Sequence, residues 1–119
     1  MYWIDTIKSW EKHGLKYNIV LKEHPGPVKA LAPSLRDEYF GNVRFPKCPM
    51  TEEGHELVSL LDVKVPGGIV RSGWISDGCY TYGFICTEDQ FHGLDWLTQE
   101  CESMGRQIVD LAARKQEGE

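Results

Sequence analysis

The sequence predicts an α+β domain in which an antiparallel sheet packs against one long C-terminal helix. Three observations lead there. Two turn signals, Val65-Pro66-Gly67-Gly68-Ile69 and Ser76-Asp77-Gly78-Cys79, divide residues 57–87 into three strand-length runs. Apolar residues then recur at threes and fours from Phe91 to Leu111, the period of an amphipathic helix. The 119-residue length suits a single domain, and a chain of that size buries roughly two-thirds of its unfolded surface without needing staples.

Along the chain, Trp3, Ile7 and Trp10 form a stripe that predicts a helix over 1–13, with Gly14 as its stop. Tyr17, Ile19 and Leu21 alternate with Asn18, Val20 and Lys22 and predict a strand over 17–23. Residues 24–56 hold Pro25, Pro27, Pro33, Pro46 and Pro49 and read as an irregular segment. Within it, Ser34 to Asp37 followed by Gly41 predicts a short helix over 35–40.

Three strands follow, over 57–65, 69–76 and 79–87. The Asp77-Gly78 turn pairs Ser76 with Cys79, Trp74 with Thr81 and Arg71 with Phe84. Tyr80, Tyr82, Phe84 and Cys86 then line the core face, together with Leu57, Leu61, Val63 and Val65 across a three-residue Pro-Gly-Gly loop. The last helix spans 88–115. Thr87 is its expected N-cap and Gln90 completes a capping box. Its stripe is Phe91, Leu94, Leu97, Cys101, Met104, Ile108 and Leu111, with Gly93 and Gly105 as weak points.

The net charge is −5 and unevenly spread. Residues 1–47 carry eight Lys/Arg against five Asp/Glu, and residues 48–119 carry five against thirteen. That balance argues against general nucleic-acid binding, leaving only Lys22, Lys29, Arg36, Arg44 and Lys47 as a weak basic alternative. No run approaches the ~20 apolar residues of a membrane span, and no secretory signal is visible, so a cytoplasmic location is expected. Cys48, Cys79, Cys86 and Cys101 are expected to be reduced thiols.

No phosphate-binding loop, nucleophile elbow, CxxC or HExxH is present. Neither Cys48 with His55 nor Cys79 with Cys86 has the spacing of zinc ligands, so no metal, cofactor or catalytic residue is assigned. The candidate residues are instead those of an interaction surface. Trp74 is expected on the sheet face away from the long helix, near Leu60, Val70, Thr81 and Ile85. Tyr39, Arg44 and Phe45 of the irregular segment are a second set. The function expected is therefore a small, acidic, non-catalytic protein that binds another protein, as an inhibitor, immunity factor, adaptor or chaperone does, with homodimerisation possible. The alternative is a small enzyme or ligand-binding domain with a pocket between the sheet and the Pro-rich segment.

Overall fold

A computed structural model describes residues 2–46, 62–74 and 79–116, excepting the side chains of 74, 115 and 116. It is an α+β fold with a five-stranded, wholly antiparallel sheet and a long C-terminal helix. The elements are β1 (Trp3–Lys12), β2 (Leu15–Glu23), α1 (Gly26–Leu31), β3 (Glu38–Phe45), β4 (Arg71–Trp74), β5 (Tyr80–Thr87) and α2 (Leu94–Gln116). Spatial order is β1-β2-β3-β5-β4, so β1 and β4 are the sheet's edges.

The N-terminal segment is a strand, not the helix its stripe predicts. β1 and β2 form a hairpin closed by His13-Gly14, which take φ of 53° and 79°. Positive φ at both loop residues is what a two-residue turn between right-twisted strands requires. The stripe is explained by a β-bulge. Thr6 pairs with Val20 and Lys8 with Ile19, so Ile7 is the extra residue. Trp3 and Trp10, seven apart, would face opposite ways in a regular strand. The bulge returns them to one face and imitates the helical i, i+7 spacing.

The irregular segment also differs. Residues 35–40 are not helical: 35–37 are extended coil, and Glu38 begins β3, a central strand. Asp37 caps no helix because its carboxylate is used elsewhere. It accepts hydrogen bonds from the His24 backbone N–H at 2.9 Å and from Lys29 Nζ at 2.8 Å. The short helix lies earlier, at α1, where Pro27 supplies a preset φ in its first turn.

Of the predicted strand 57–65, residues 57–61 lie outside the described residues, as does Leu60. Residues 62–65 are not a strand. The Lys64 backbone pairs instead with a side chain of α2: its N–H donates to Gln107 Oε1 at 2.6 Å, and its carbonyl accepts from Gln107 Nε2 at 2.8 Å. The Pro66-Gly67-Gly68 turn is present, with φ of 72° and 79° at the glycines. β4 starts at Arg71 rather than 69, and residues 75–76 lie outside the described residues. Its register is one residue from the expected one: Trp74 pairs with Tyr80 and Arg71 with Gly83. α2 starts at Leu94, not 88: residues 88–90 form a turn, and Gly93, with φ of 102°, is not helical. The Thr87–Gln90 contacts form, with the Thr87 N–H donating to Gln90 Oε1, but they close a turn rather than cap a helix.

The core lies between α2 and one face of the sheet. Leu97, Cys101, Met104 and Ile108 are fully buried against Tyr17 and Ile19 of β2, Val43 and Phe45 of β3, and Tyr80, Tyr82, Phe84 and Cys86 of β5. Two glycines allow the close approach. A Cβ at Gly41 would lie 2.7 Å from the Phe84 ring and 2.8 Å from Cys101 Sγ, and one at Gly105 would collide with Tyr17 Oη. Among the described residues no helix is long and apolar enough to cross a membrane.

Candidate functional site

The sheet's other face carries no described helix, and pairing sets its side chains in rows. One row runs Asn18 (β2), Asn42 (β3), Gly83 (β5), Arg71 (β4). The next runs Lys16, Arg44, Thr81, Gly73, and ends on β1 at Glu11. A third sets Val20, Phe40 and Ile85 side by side.

The first row is a hydrogen-bonded relay. Asn42 Nδ2 donates to Asn18 Oδ1 at 2.8 Å, and Arg71 Nη2 donates to Asn42 Oδ1. Arg71 reaches Asn42 across β5 because the intervening residue is glycine. A Cβ at Gly83 would lie 2.5 Å from Asn42 Oδ1 and 3.4 Å from Arg71 Nη2. Asn42 is 5% exposed, so both ends of a buried amide are satisfied and the guanidinium is held in place.

These rows line a cavity of about 310 Å³, bounded by Asn18, Asn42, Arg44, Arg71, Ser72, Gly73 and Thr81. Among the described residues its lining includes two arginines and no carboxylate, in a chain of net charge −5. Thr81 is 6% exposed, and its buried hydroxyl has no hydrogen-bond partner among the described residues. A second hollow of about 270 Å³ adjoins it, lined by Phe40, Val70, Gly83, Phe84 and Ile85 and sharing Arg71.

The sequence-predicted surface is thus partly assembled. Val70, Thr81 and Ile85 lie on or beside the face away from α2, and Arg44 joins them, directly opposite Thr81. Leu60 and the Trp74 side chain lie outside the described residues. The register places the Trp74 backbone opposite Tyr80, a core-face residue, not opposite Thr81. Tyr39 stacks on Phe91 at 4.0 Å between ring centroids, and Phe45 is a core residue packed edge-on to Tyr82. Asn18, Asn42 and Arg71 were not candidates. One sequence signal for them is the alternation of β2, which puts Asn18 opposite its apolar neighbours.

The second feature is the β1 edge. Tyr2, Trp3, Ile4 and Ile7 are 51%, 53%, 59% and 39% exposed. The C-terminal half of β1 is tied to α2. Trp10 stacks on Tyr17 and donates its indole N–H to Glu102 at 3.0 Å, Lys12 pairs with Glu102 at 3.1 Å, and Lys8 donates to Thr98 at 2.8 Å. Burial acts to raise the Glu102 carboxyl, but the hydrogen bonds from Lys12 and Trp10 outweigh it and hold the group below the usual carboxylate range.

Among the described residues, no three His, Cys, Asp or Glu side chains gather as metal ligands would. Burial pushes the Cys101 thiol up to about 12 and raises Cys86 as well, which makes both poor nucleophiles. No family model matches the chain, and no curated protein or solved structure matches it.

Proposed function

We propose that this is a non-catalytic protein-binding module that accepts another polypeptide strand along the free edge of β1. The observation that carries the reading is the edge itself: ten residues long, paired on one side only among the described strands, with Trp3, Ile4 and Ile7 exposed. A long apolar edge presents unpaired N–H and C=O groups and is a template for strand addition. Proteins that avoid such pairing shorten or charge the edge. Here the charges of Lys8 and Lys12 are turned to α2, and the N-terminal half of the edge, Trp3 to Ile7, keeps one charge, Asp5.

A second copy of the chain suits this edge. Antiparallel pairing of two β1 strands about the Thr6–Ile7 bond would set Asp5 opposite Lys8 twice and Trp3 opposite Trp10 twice. The bulge lets the faces agree, because Trp3, Asp5, Lys8 and Trp10 share one face through their β2 partners. Opposed charges and aromatic pairs across strands contribute roughly 0.2–1 kcal/mol each.

Sedimentation over a concentration series tests this with charge reversal. Asp5→Lys and Lys8→Glu each face like charge with like and should sediment as monomers. An equimolar mixture of the two restores both attractions and should dimerise. Monomeric wild-type protein at every concentration, or a mixture no more associated than its components, overturns the self-pairing.

A further inference from the structure

We infer that the Arg71–Asn42–Asn18 cavity on the open sheet face binds a small organic acid, with its carboxylate on Arg71 and its apolar tail in the Phe40–Val70–Ile85 hollow. This site shares no residue with the β1 edge, so the two readings stand or fall separately.

The charge comes first. Among the described residues, Arg44 and Arg71 line the cavity and no carboxylate does. The nearest acid in these rows is Glu11, two strands from Arg44 and opposite Lys16. An anion entering the cavity therefore meets the guanidinium of Arg71 although the whole chain is acidic.

Preorganisation comes next. A guanidinium has five N–H donors in a fixed fork. Arg71 gives one of them to Asn42, and that bond, relayed to Asn18, draws the group over β5. The remaining donors suit the two oxygens of a carboxylate. The glycines beside this fork have a physical purpose. Gly83 lets Arg71 lie across β5, and Gly73 leaves the position opposite Thr81 without a side chain.

Thr81 supplies an independent observation. A buried hydroxyl without a partner is unfavourable and uncommon. Thr81 lines the cavity, and its hydroxyl is buried without a partner among the described residues.

The adjoining hollow decides the class of anion. It is bounded by Phe40, Val70, Phe84 and Ile85, and Arg71 borders both spaces. Val70 is 55% exposed, so its apolar surface is available to a tail. A bare inorganic anion would use only the polar side. A carboxylic acid with a short hydrocarbon tail uses both, and the cavity volume is at the lower end for small-molecule sites.

Titration of the whole protein with hexanoate, followed by backbone amide NMR, tests the site. Saturable shifts at Thr81, Gly83 and Arg71 are expected. Hexan-1-ol and inorganic phosphate should each bind about tenfold more weakly or worse, since each lacks one half of the recognition. Arg71→Gln should weaken hexanoate about tenfold or more, and a dispersed amide spectrum of the unliganded variant separates that loss from unfolding, because the buried Asn42 oxygen loses its Arg71 donor. Val70→Gln should weaken hexanoate but not acetate. No saturable binding at millimolar hexanoate overturns the inference. So does binding that Arg71→Gln leaves unchanged, and so does phosphate bound as tightly as hexanoate.

Discussion

Replacing Gly105 with alanine has an outcome whose sign depends on packing rather than on helix propensity. In an exposed helix interior, Gly→Ala stabilises by about 1 kcal/mol. Gly105 is buried, in the middle of α2, and faces Tyr17 of β2. A Cβ there would collide with Tyr17 Oη, and would lie 3.0 Å from Cζ and 3.2 Å from Cε1 of the ring. Tyr17 has little room to yield. It is 4% exposed, and Trp10 stacks on its ring at 5.2 Å between centroids with an 11° tilt.

Overpacking of this kind typically costs about 1–3 kcal/mol. Setting the propensity gain against the upper part of that range leaves Gly105→Ala net destabilising by roughly 1–2 kcal/mol. For a chain of this length that lowers the melting temperature by several degrees, at roughly 3–5 °C per kcal/mol. The closest atom is the phenol oxygen, so Tyr17→Phe in the Gly105→Ala background should restore part of the loss. Urea titration of the four members of this cycle gives the coupling directly. Stabilisation by Gly105→Ala alone, or additive effects of the two substitutions, would refute the close contact.

Two further outcomes follow from the buried titratable groups. Burial acts to raise the Asp37 carboxyl, but the Lys29 ammonium and the His24 N–H outweigh it and hold the group below the usual carboxylate range. A carboxyl lowered in the folded state contributes stability that is present above its unfolded pKa and is lost as pH falls through the folded one. Asp37→Asn should therefore cost about 1–3 kcal/mol at neutral pH and flatten the acid limb of the stability profile; an unchanged acid limb in urea titrations from neutral pH downward would count against the network. For the thiols, a disulfide reagent at neutral pH should label Cys101 and Cys86 only after unfolding, while half-buried Cys79 reacts in the native protein. Native labelling of Cys101 at the rate of Cys79 would mean that α2 opens from the sheet.

The parts legible in the sequence are those where one periodicity acts alone. α2 was legible because Leu97, Cys101, Met104 and Ile108 face a single apolar surface, and all four are buried. β5 was legible because Tyr80, Tyr82, Phe84 and Cys86 alternate without interruption. β3 was not. Its core face reads Tyr39, Gly41, Val43, Phe45, and the glycine that admits Cys101 breaks the apolar pattern in the middle. The opposite face carries Phe40, so hydrophobicity alone does not separate the two. β1 was concealed by its bulge, which set two tryptophans at helical spacing. The signals against a helix were β-branched Ile4, Thr6 and Ile7, and a His13-Gly14 pair flanked by runs of similar length.

The open-face site was missed because it depends on register, and the register of β4 decides where one charge lies. The turn at Asp77-Gly78, taken as a two-residue loop, pairs Arg71 with Phe84 and so turns an arginine toward the core. The observed register moves β4 by one residue and pairs Arg71 with Gly83. The shift exchanges every side chain of β4 between faces. It takes Arg71 out of a core that includes Phe84 and Cys86, where its charge would have had no partner and would have been strongly unfavourable. On the open face it finds Asn42, and only a glycine lies between them. The same consideration could have been applied to the sequence: of the two registers, only one leaves Arg71 a polar environment. Once that register is chosen, Gly83 ceases to be a flaw in a strand and becomes the condition for the Arg71–Asn42–Asn18 row. Gly83→Ala should then displace Arg71 from Asn42 and abolish hexanoate binding, even if β5 itself survives the substitution.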